Sequence, residues 1–139
     1  MNSSTVTAEL GLRLVTPPQT ITPLTGSLHY SRHDPYAVRI AFRAGLEEPV
    51  EWTFARDLLA AGTRARHGIG DVRVWPSPGP AGGVLTIELT SPHGQARFET
   101  PASGVTGFLA RAYQIVPDGQ ESSHVNLDAE LDDLLRRDS

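Results

Sequence analysis

Five histidines are the side chains of this sequence that bind metal ions or transfer protons most readily: His29, His33, His67, His93 and His124. His29 and His33 are four positions apart, but the local pattern places the first at a strand end and the second in a turn. Rings in those positions do not converge, whereas a metal centre needs several ligands held together by neighbouring groups. The sequence therefore predicts surface histidines and no metal site.

The other candidate catalytic groups have simpler explanations. Glu47 and Glu48 are adjacent carboxylates in a predicted turn, where both stay hydrated and neither becomes a tuned acid or base. The glycine clusters at 68–71 and 79–83 resemble phosphate cradles, but each leads into a strand rather than the helix N-terminus that such a site requires. There is no G-x-S-x-G elbow and no H-E-x-x-H pair. We predict a protein that is not an enzyme and that carries no cofactor.

Composition narrows the possible classes further. The 139-residue chain has no cysteine, which excludes disulfides, thiol nucleophiles and cysteine-ligated zinc. All twelve basic residues are arginine, so a phosphate-binding or Schiff-base lysine is absent. The net charge of −4 disfavours nucleic-acid binding. No apolar run reaches the length of a membrane span, and the N-terminus lacks a signal pattern. We expect one cytoplasmic domain over residues 1–139, without a transmembrane segment.

Alternating apolar residues predict about seven short strands joined by short links, a pattern typical of an antiparallel sheet. The strands are centred on residues 6–14, 24–30, 36–42, 50–54, 72–75, 85–89 and 96–98. Gly26 is a candidate bulge in the second strand. Pro76 is expected to end the fifth. After Phe54 the sequence ARDLLAA predicts a short helix, with Gly62 as the left-handed residue that ends it.

The C-terminal third changes to helical periodicity. Thr100 and Pro101 form a cap-and-first-position signature, and the stripe Val105, Phe108, Leu109 and Ala112 follows. Asn126 is the predicted cap of a last helix, whose leucine stripe is Leu127, Leu131, Leu134 and Leu135. The expected fold is α+β: an antiparallel sheet of about seven strands, curled into a barrel-like form, with two to three helices and the longer ones C-terminal.

Aromatic and leucine side chains are the remaining candidates for binding. Tyr36, Phe42, Trp52 and Phe54 lie on the apolar faces of their strands and are predicted to be core residues. Trp75 is out of phase with Val72 and Val74 and is predicted to point outward or to an edge, where it either caps the barrel end or anchors a protein contact. The same two roles, docking within the chain or against a partner, are open for three leucines of the last helix: Leu131, Leu134 and Leu135.

Three sequence blocks carry a family resemblance. They are DPYAVRIAF (34–42), VEWTFARDLL (50–59) and GDVRVWPS (70–77). With their spacing, the chain resembles the SsgA-like family of actinomycete sporulation and cell-division proteins, most closely the SsgB-type members. The similarity extends from the TVTAELGLRLV strand to the NLDAELDDLL helix.

The resemblance implies a fold and a function that the residue patterns alone do not. It implies a bell-shaped homotrimer related to the whirly domains that bind single-stranded nucleic acid. It further implies a non-enzymatic division factor that recruits the tubulin-like GTPase FtsZ to future sporulation septa, promotes its polymerisation, and works with other members of the family. A whirly-like regulator that binds single-stranded nucleic acid is the alternative, supported by sheet aromatics beside exposed arginines such as Arg39 and Arg43.

Overall fold

The computed structural model describes residues 4–16, 20–43, 50–92 and 94–123 of the chain. Within these ranges the chain forms eight strands, two α-helices and a 3₁₀-helix at Pro80–Gly82, and residues 121–123 are also helical. The strands are β1 (Thr5–Thr16), β2 (Thr20–Ser31), β3 (Ala37–Phe42), β4 (Val50–Ala55), β5 (His67–Ile69), β6 (Val72–Ser77), β7 (Val84–Ser91) and β8 (Gly94–Pro101). The α-helices are α1 (Arg56–Gly62) and α2 (Ala102–Ile115).

All strand pairs are antiparallel and form one sheet in the order β4-β3-β2-β1-β8-β7-β6-β5. The long β1–β2 hairpin lies at its centre, and β1 joins the two halves by pairing with β8. The sheet curls into a half-barrel because every strand except the short β5 has one apolar face that must leave water. The predicted α+β class and curled antiparallel sheet are confirmed, and the longer helix is the C-terminal α2.

Helix α1 spans the opening between the two ends of the sheet. It packs against β4 at one end and against β5 and β6 at the other. Gly62 makes this approach possible, because a Cβ at that position would collide with the Val74 side chain. The prediction that Gly62 ends the helix in a left-handed conformation was wrong. Gly62 is not among the positive-φ residues, and the Thr63 N–H caps α1 by donating to the Ala60 carbonyl.

Helix α2 covers the inner face of the half-barrel, chiefly over β1. Its predicted stripe is confirmed, since Val105, Phe108, Leu109 and Ala112 are all buried. Each large apolar side chain of this kind contributes roughly 1.5–3 kcal/mol when removed from water. The helix starts later than predicted, at Ala102, because Thr100 belongs to β8 and donates its hydroxyl to the Gly11 carbonyl at 2.9 Å.

Other differences from the predicted strands have local causes. The eighth strand is β5, whose three residues are all exposed and give no apolar pattern. Gly26 is not a bulge: it pairs in regular register with Leu10, and its missing side chain leaves room for Leu12. Tyr36 is 50% exposed because it lies in the turn before β3, so its predicted core position was wrong.

The remaining outcomes concern strand ends and helices. Pro76 does not end β6, because it pairs with Leu85 and the strand continues to Ser77. The predicted last helix, from Asn126 through Leu135, lies outside the described residues. In the part of the chain that the structure covers, no helix has both the length and the apolar character needed to cross a bilayer.

Candidate partner-binding surface

Trp75 lies on the outer face of the half-barrel. The alternation along β6 places Val72 and Val74 in the core, with 4% and 0% of their surface exposed, and directs Trp75 to the opposite side. This is the outward orientation that the sequence predicts. The indole is half-buried rather than free, because neighbouring side chains cover part of it.

Two arginines cover the indole. The Arg66 guanidinium, from the turn between α1 and β5, lies 4.5 Å from the ring centroid of Trp75. The Arg97 guanidinium, which reaches across from β8, lies 5.3 Å from the same centroid. Both distances fall within the range in which a cation is attracted to the ring face. Trp75 therefore holds two positive charges beside each other on the outer surface.

A buried carboxylate organises the same surface. The strand register aligns Arg73 of β6 with Glu88 of β7 and Arg97 of β8. One Glu88 oxygen accepts from Arg73 at 3.4 Å and the other accepts from Arg97 at 3.0 Å. The Glu88 side chain is 7% exposed, whereas those of Arg73 and Arg97 are 47% and 49% exposed. The buried Glu88 thus contacts both guanidiniums, and about half of each arginine side chain remains exposed to solvent.

We name these five residues, Arg66, Arg73, Trp75, Glu88 and Arg97, the outer-face patch. Its three guanidinium groups exceed its one carboxylate by two positive charges, although the whole chain carries −4. Guanidinium groups stay protonated and offer several N–H donors in a fixed plane, which suits carboxylates and phosphates. The patch is equipped to bind an anion beside an aromatic ring.

A second, buried arginine stabilises the fold. Arg56, the first residue of α1, is 1% exposed. Its Nη1 donates to the Tyr30 hydroxyl at 3.0 Å and to the carbonyls of Ala112 and Val116 at 3.2 and 2.8 Å. Its Nη2 donates to Glu121 Oε1 at 2.7 Å. Arg56 therefore joins α1 to β2, to the end of α2 and to Glu121, the first residue of a helical segment that follows α2.

The Arg56 guanidinium is also enclosed by aromatic rings. The Tyr113 and Tyr30 ring centroids lie 4.0 and 4.9 Å from its central carbon. Burial, reinforced by neighbouring Asp57, raises the pKa of Tyr113 to about 12. The phenol thus keeps its proton and donates to Asp57 Oδ1 at 3.2 Å. This is the arrangement of a structural anchor, not of a proton donor poised near neutral pH.

Three acidic residues meet near this anchor. Oxygens of Asp57, Asp118 and Glu121 lie within 4.8 Å of one another. Burial tends to raise the pKa of Glu121, but backbone N–H donors and Arg56 outweigh it and hold that pKa below its ordinary value. The Glu121 carboxylate is already engaged, since Oε2 accepts from the Gly119 N–H at 3.0 Å. The cluster is explained by its partners, and the absence of a metal site stays a prediction.

The histidines are not brought together as a site in the described residues. His29 is half-buried in β2, where Nε2 lies 2.7 Å from the Ser27 hydroxyl and Nδ1 lies 3.5 Å from the Thr7 hydroxyl. Burial and the neighbouring Arg39 lower the pKa of His29, so the ring is neutral near pH 7. His33 follows in the turn after β2, and His67 is exposed in β5. His93 and His124 lie outside the described residues.

Of the four predicted contact residues, the structure places only Trp75. Leu131, Leu134 and Leu135 lie outside the described residues. The sequence patterns did not point to Arg66, Arg73, Glu88 or Arg97 as partners of Trp75. The signal available was period 2: Arg73 and Trp75 share one face of β6, and Glu88 and Arg97 occupy the same outward phase on β7 and β8.

Comparison with known proteins places the chain in a family. Residues 24–121 match the model of the family described as Streptomyces sporulation and cell division protein, SsgA. The chain belongs to the SsgA family. The match includes β3, β4, α1 and β6, the elements that contain the three blocks on which the resemblance was based, and the resemblance is confirmed.

Three curated SsgA-family relatives match more than nine-tenths of the chain, and these three are named sporulation-specific cell division protein SsgB. The protein from Thermobifida fusca is 46% identical over 134 residues, covering 96% of this chain and 97% of the relative. The protein from Frankia casuarinae is 50% identical over 126 residues, covering 91% and 88%. The protein from Streptomyces coelicolor is 48% identical over 133 residues, covering 96% and 97%. The SsgB-type assignment is confirmed.

Solved SsgA-family structures share the fold. The crystal structure of the SsgA-like sporulation-specific cell division protein from Thermobifida fusca superposes with a TM-score of 0.87 at 47% identity, covering 96% of this chain and 98% of that one. A structure from work on SsgB mutations that correlate with longitudinal cell division during sporulation of Streptomyces coelicolor gives a TM-score of 0.81 at 48% identity, covering 89% and 98%.

Proposed function

We propose that this chain is a sporulation-specific cell division protein that recruits FtsZ to future septum sites and promotes its polymerisation. The observation that carries the proposal is the match to SsgB proteins along more than nine-tenths of the chain at 46–50% identity. FtsZ as the partner follows from the resemblance to SsgB-type proteins. The protein acts in the cytoplasm at the division septum and binds other members of its family.

The described surface supports binding rather than catalysis. One depression, about 390 Å³, is open to solvent and is lined by residues such as Thr7, His29 and Arg39. The His29 ring there is engaged by Ser27 and Thr7. A second depression, about 370 Å³, lies beside Asp57 and Tyr113, which bond to each other. We infer that the protein transforms no substrate and works through protein contacts.

Assembly as a homotrimer fits this role. An FtsZ polymer presents the same surface at regular intervals, so linked copies of a weak site bind it with an avidity greater than that of a single site. The bell-shaped trimer that the resemblance to SsgB-type proteins implies would place three outer-face patches on one particle. Multi-angle light scattering measures that copy number in solution.

Co-sedimentation with FtsZ tests the proposed function. Purified chain is mixed with FtsZ and GTP, polymers are pelleted, and polymer mass is measured with and without the chain. We expect the chain in the pellet and a greater mass of FtsZ polymer. The same mixture with GDP is the control, because little polymer then forms. An unchanged polymer mass and a chain that stays in the supernatant at saturating concentration contradict the proposal.

Single-stranded nucleic-acid binding is the second candidate function. The observation in its favour is the outer-face patch, where an aromatic ring lies among arginines on a curled sheet. Two points weigh against it: guanidiniums already cover the Trp75 ring on which a base would stack, and the chain is acidic overall. Gel-shift titration of an oligonucleotide at low salt separates the two functions, since steep weakening with salt is the mark of phosphate contacts.

A further inference from the structure

We propose that the outer-face patch is the partner-binding site and that its ligand is an acidic protein segment, whose carboxylates bind Arg66, Arg73 and Arg97. This inference rests on the proposed function, because it gives the FtsZ-binding role a place on the molecule and a chemistry. The sequence patterns alone did not bring the residues of this surface together.

Preorganisation is the first reason. Arg73 and Arg97 each donate to one oxygen of the buried Glu88, at 3.4 and 3.0 Å, so both guanidiniums are partly ordered before any ligand arrives. A side chain that is already ordered loses less entropy on binding. Both arginine side chains remain about half exposed, so a ligand in solution can reach them. Such groups make strong hydrogen bonds to carboxylates.

Charge complementarity is the second reason. The patch has an excess of two positive charges on a chain whose net charge is −4. An acidic segment is attracted to this surface while the rest of the chain repels it, which favours one docking position. A uniformly acidic protein without the patch would have no such preference.

The identity of the ligand follows from the state of Trp75. Stacking of a nucleic-acid base needs an accessible ring face, and here the Arg66 and Arg97 guanidiniums lie over the ring at 4.5 and 5.3 Å. A base would have to displace them and lose both cation–π contacts, whereas a carboxylate bonds to the same guanidiniums without moving them. The arrangement favours a protein carboxylate over a base.

An apolar neighbour extends the site. The row of outward residues that contains Arg73, Glu88 and Arg97 continues through Val15 on β1 to Ile21 on β2. Ile21 is 48% exposed. A bound segment that crosses the strands from β6 to β2 would contact the arginines first and then Val15 and Ile21. The preferred ligand therefore combines several carboxylates with a large apolar side chain.

The test uses a fluorescein-labelled peptide of four glutamates followed by a phenylalanine, titrated with full-length chain by fluorescence anisotropy. A single-stranded oligonucleotide of twelve thymidines that carries the same label is titrated in parallel. The key variant is Arg73→Gln/Glu88→Gln/Arg97→Gln, which removes both arginines together with their buried carboxylate and so leaves no unpaired buried charge. Arg39→Gln is the matched control: it removes one exposed arginine from the outer face of β3, and β1 and β2 separate it from β8.

We expect the peptide to bind the wild-type chain and the triple variant at least about tenfold more weakly, because each charge-assisted hydrogen bond contributes a factor of that order. Arg39→Gln should bind within about twofold of wild type. If circular dichroism shows the triple variant unfolded, Arg66→Gln replaces it, since Arg66 is exposed in a turn, and a loss of about threefold is expected. Equal peptide affinity in wild type and patch variants overturns the inference, as does oligonucleotide binding that is tighter than peptide binding and lost in the same variants.

Co-sedimentation of the variants with FtsZ polymers separates this inference from the proposed function. If wild type and triple variant pellet equally, the assignment of the patch fails and the FtsZ function stands. If wild type does not pellet while the peptide still depends on the patch arginines, the FtsZ function fails and the acidic-ligand site stands.

Discussion

At the scale of single residues, the buried Arg56 links several parts of the fold through its guanidinium. An unpaired buried charge is costly, so the guanidinium is retained only because oxygens of Tyr30, Ala112, Val116 and Glu121 surround it. These partners come from three separate parts of the chain. The network consequently ties the end of α2 to the helical segment that begins at Glu121.

Glu121→Gln tests this network through pH. At pH 7 the variant should lose about 3 kcal/mol of unfolding free energy, the lower end for breaking a buried ion pair. Because folding lowers the pKa of Glu121 from its ordinary 4.5, its contribution is complete above that value and is lost as pH falls through the folded-state pKa. Urea unfolding at pH 7, 5, 4 and 3 measures the difference in unfolding free energy between wild type and variant, and this difference should shrink below about pH 4.5.

Glu9→Gln is the control for that series. Glu9 is exposed on β1, so its replacement should leave stability nearly unchanged at every pH. A Glu121→Gln variant as stable as wild type at pH 7, or a stability difference that does not vary with pH, would show that the carboxylate does not stabilise Arg56.

The sequence predicts some single-residue positions and misses others for a physical reason. The outward orientation of Trp75 follows from strand alternation alone. The burial of Arg56 does not, because an arginine at the start of a helix is usually solvated and its partners lie 26 to 65 positions away. The partners of Trp75 were missed for the same reason: register across β6, β7 and β8 is a tertiary property.

At the scale of secondary-structure elements, the seating of α1 on β6 depends on one small residue. In α1, Gly62→Ala would place a methyl group into Val74 and should cost roughly 1–3 kcal/mol of unfolding free energy. In α2, the matched Gly107→Ala adds the same methyl group where no atom lies within 4 Å, and it should stabilise by up to about 1 kcal/mol through helix propensity. Urea unfolding followed by circular dichroism measures both.

We expect the two substitutions to change the free energy of unfolding in opposite directions. If Gly62→Ala is as stabilising as Gly107→Ala, the close contact of α1 with β6 does not exist and the closure of the half-barrel needs another explanation.

Elements with strong apolar periodicity were predictable, and weak ones were not. The stripe of α2 and the alternation of β1 are long and regular, so their existence follows from the sequence. Strand β5 has three exposed residues and is defined only by its pairing with β6. A glycine inside a strand marks either a bulge or a place where another group packs closely. The sequence alone does not distinguish the two, and at Gly26 the structure shows the close approach of Leu12.

At the scale of the whole molecule, the sheet curls until α1 can span its two ends, and α2 fills the inner face. The α+β class follows from the order of periodic segments, whereas the closure by α1 could not be predicted because it depends on sheet curvature. The outer face is left with an arginine-rich surface on an acidic chain. We propose that this surface binds the FtsZ polymer through its guanidinium groups.

Hydroxyl-radical footprinting of the full chain on FtsZ polymers tests that central claim most directly. Aromatic side chains oxidise readily, so Trp75 reports on the outer-face patch and the half-exposed Tyr36, in the turn before β3, reports on a part of the surface outside that patch. The account predicts that GTP-assembled FtsZ slows the oxidation of Trp75 several-fold and leaves that of Tyr36 unchanged. Protection of Tyr36 alone, or unchanged oxidation of both at saturating polymer, would contradict it.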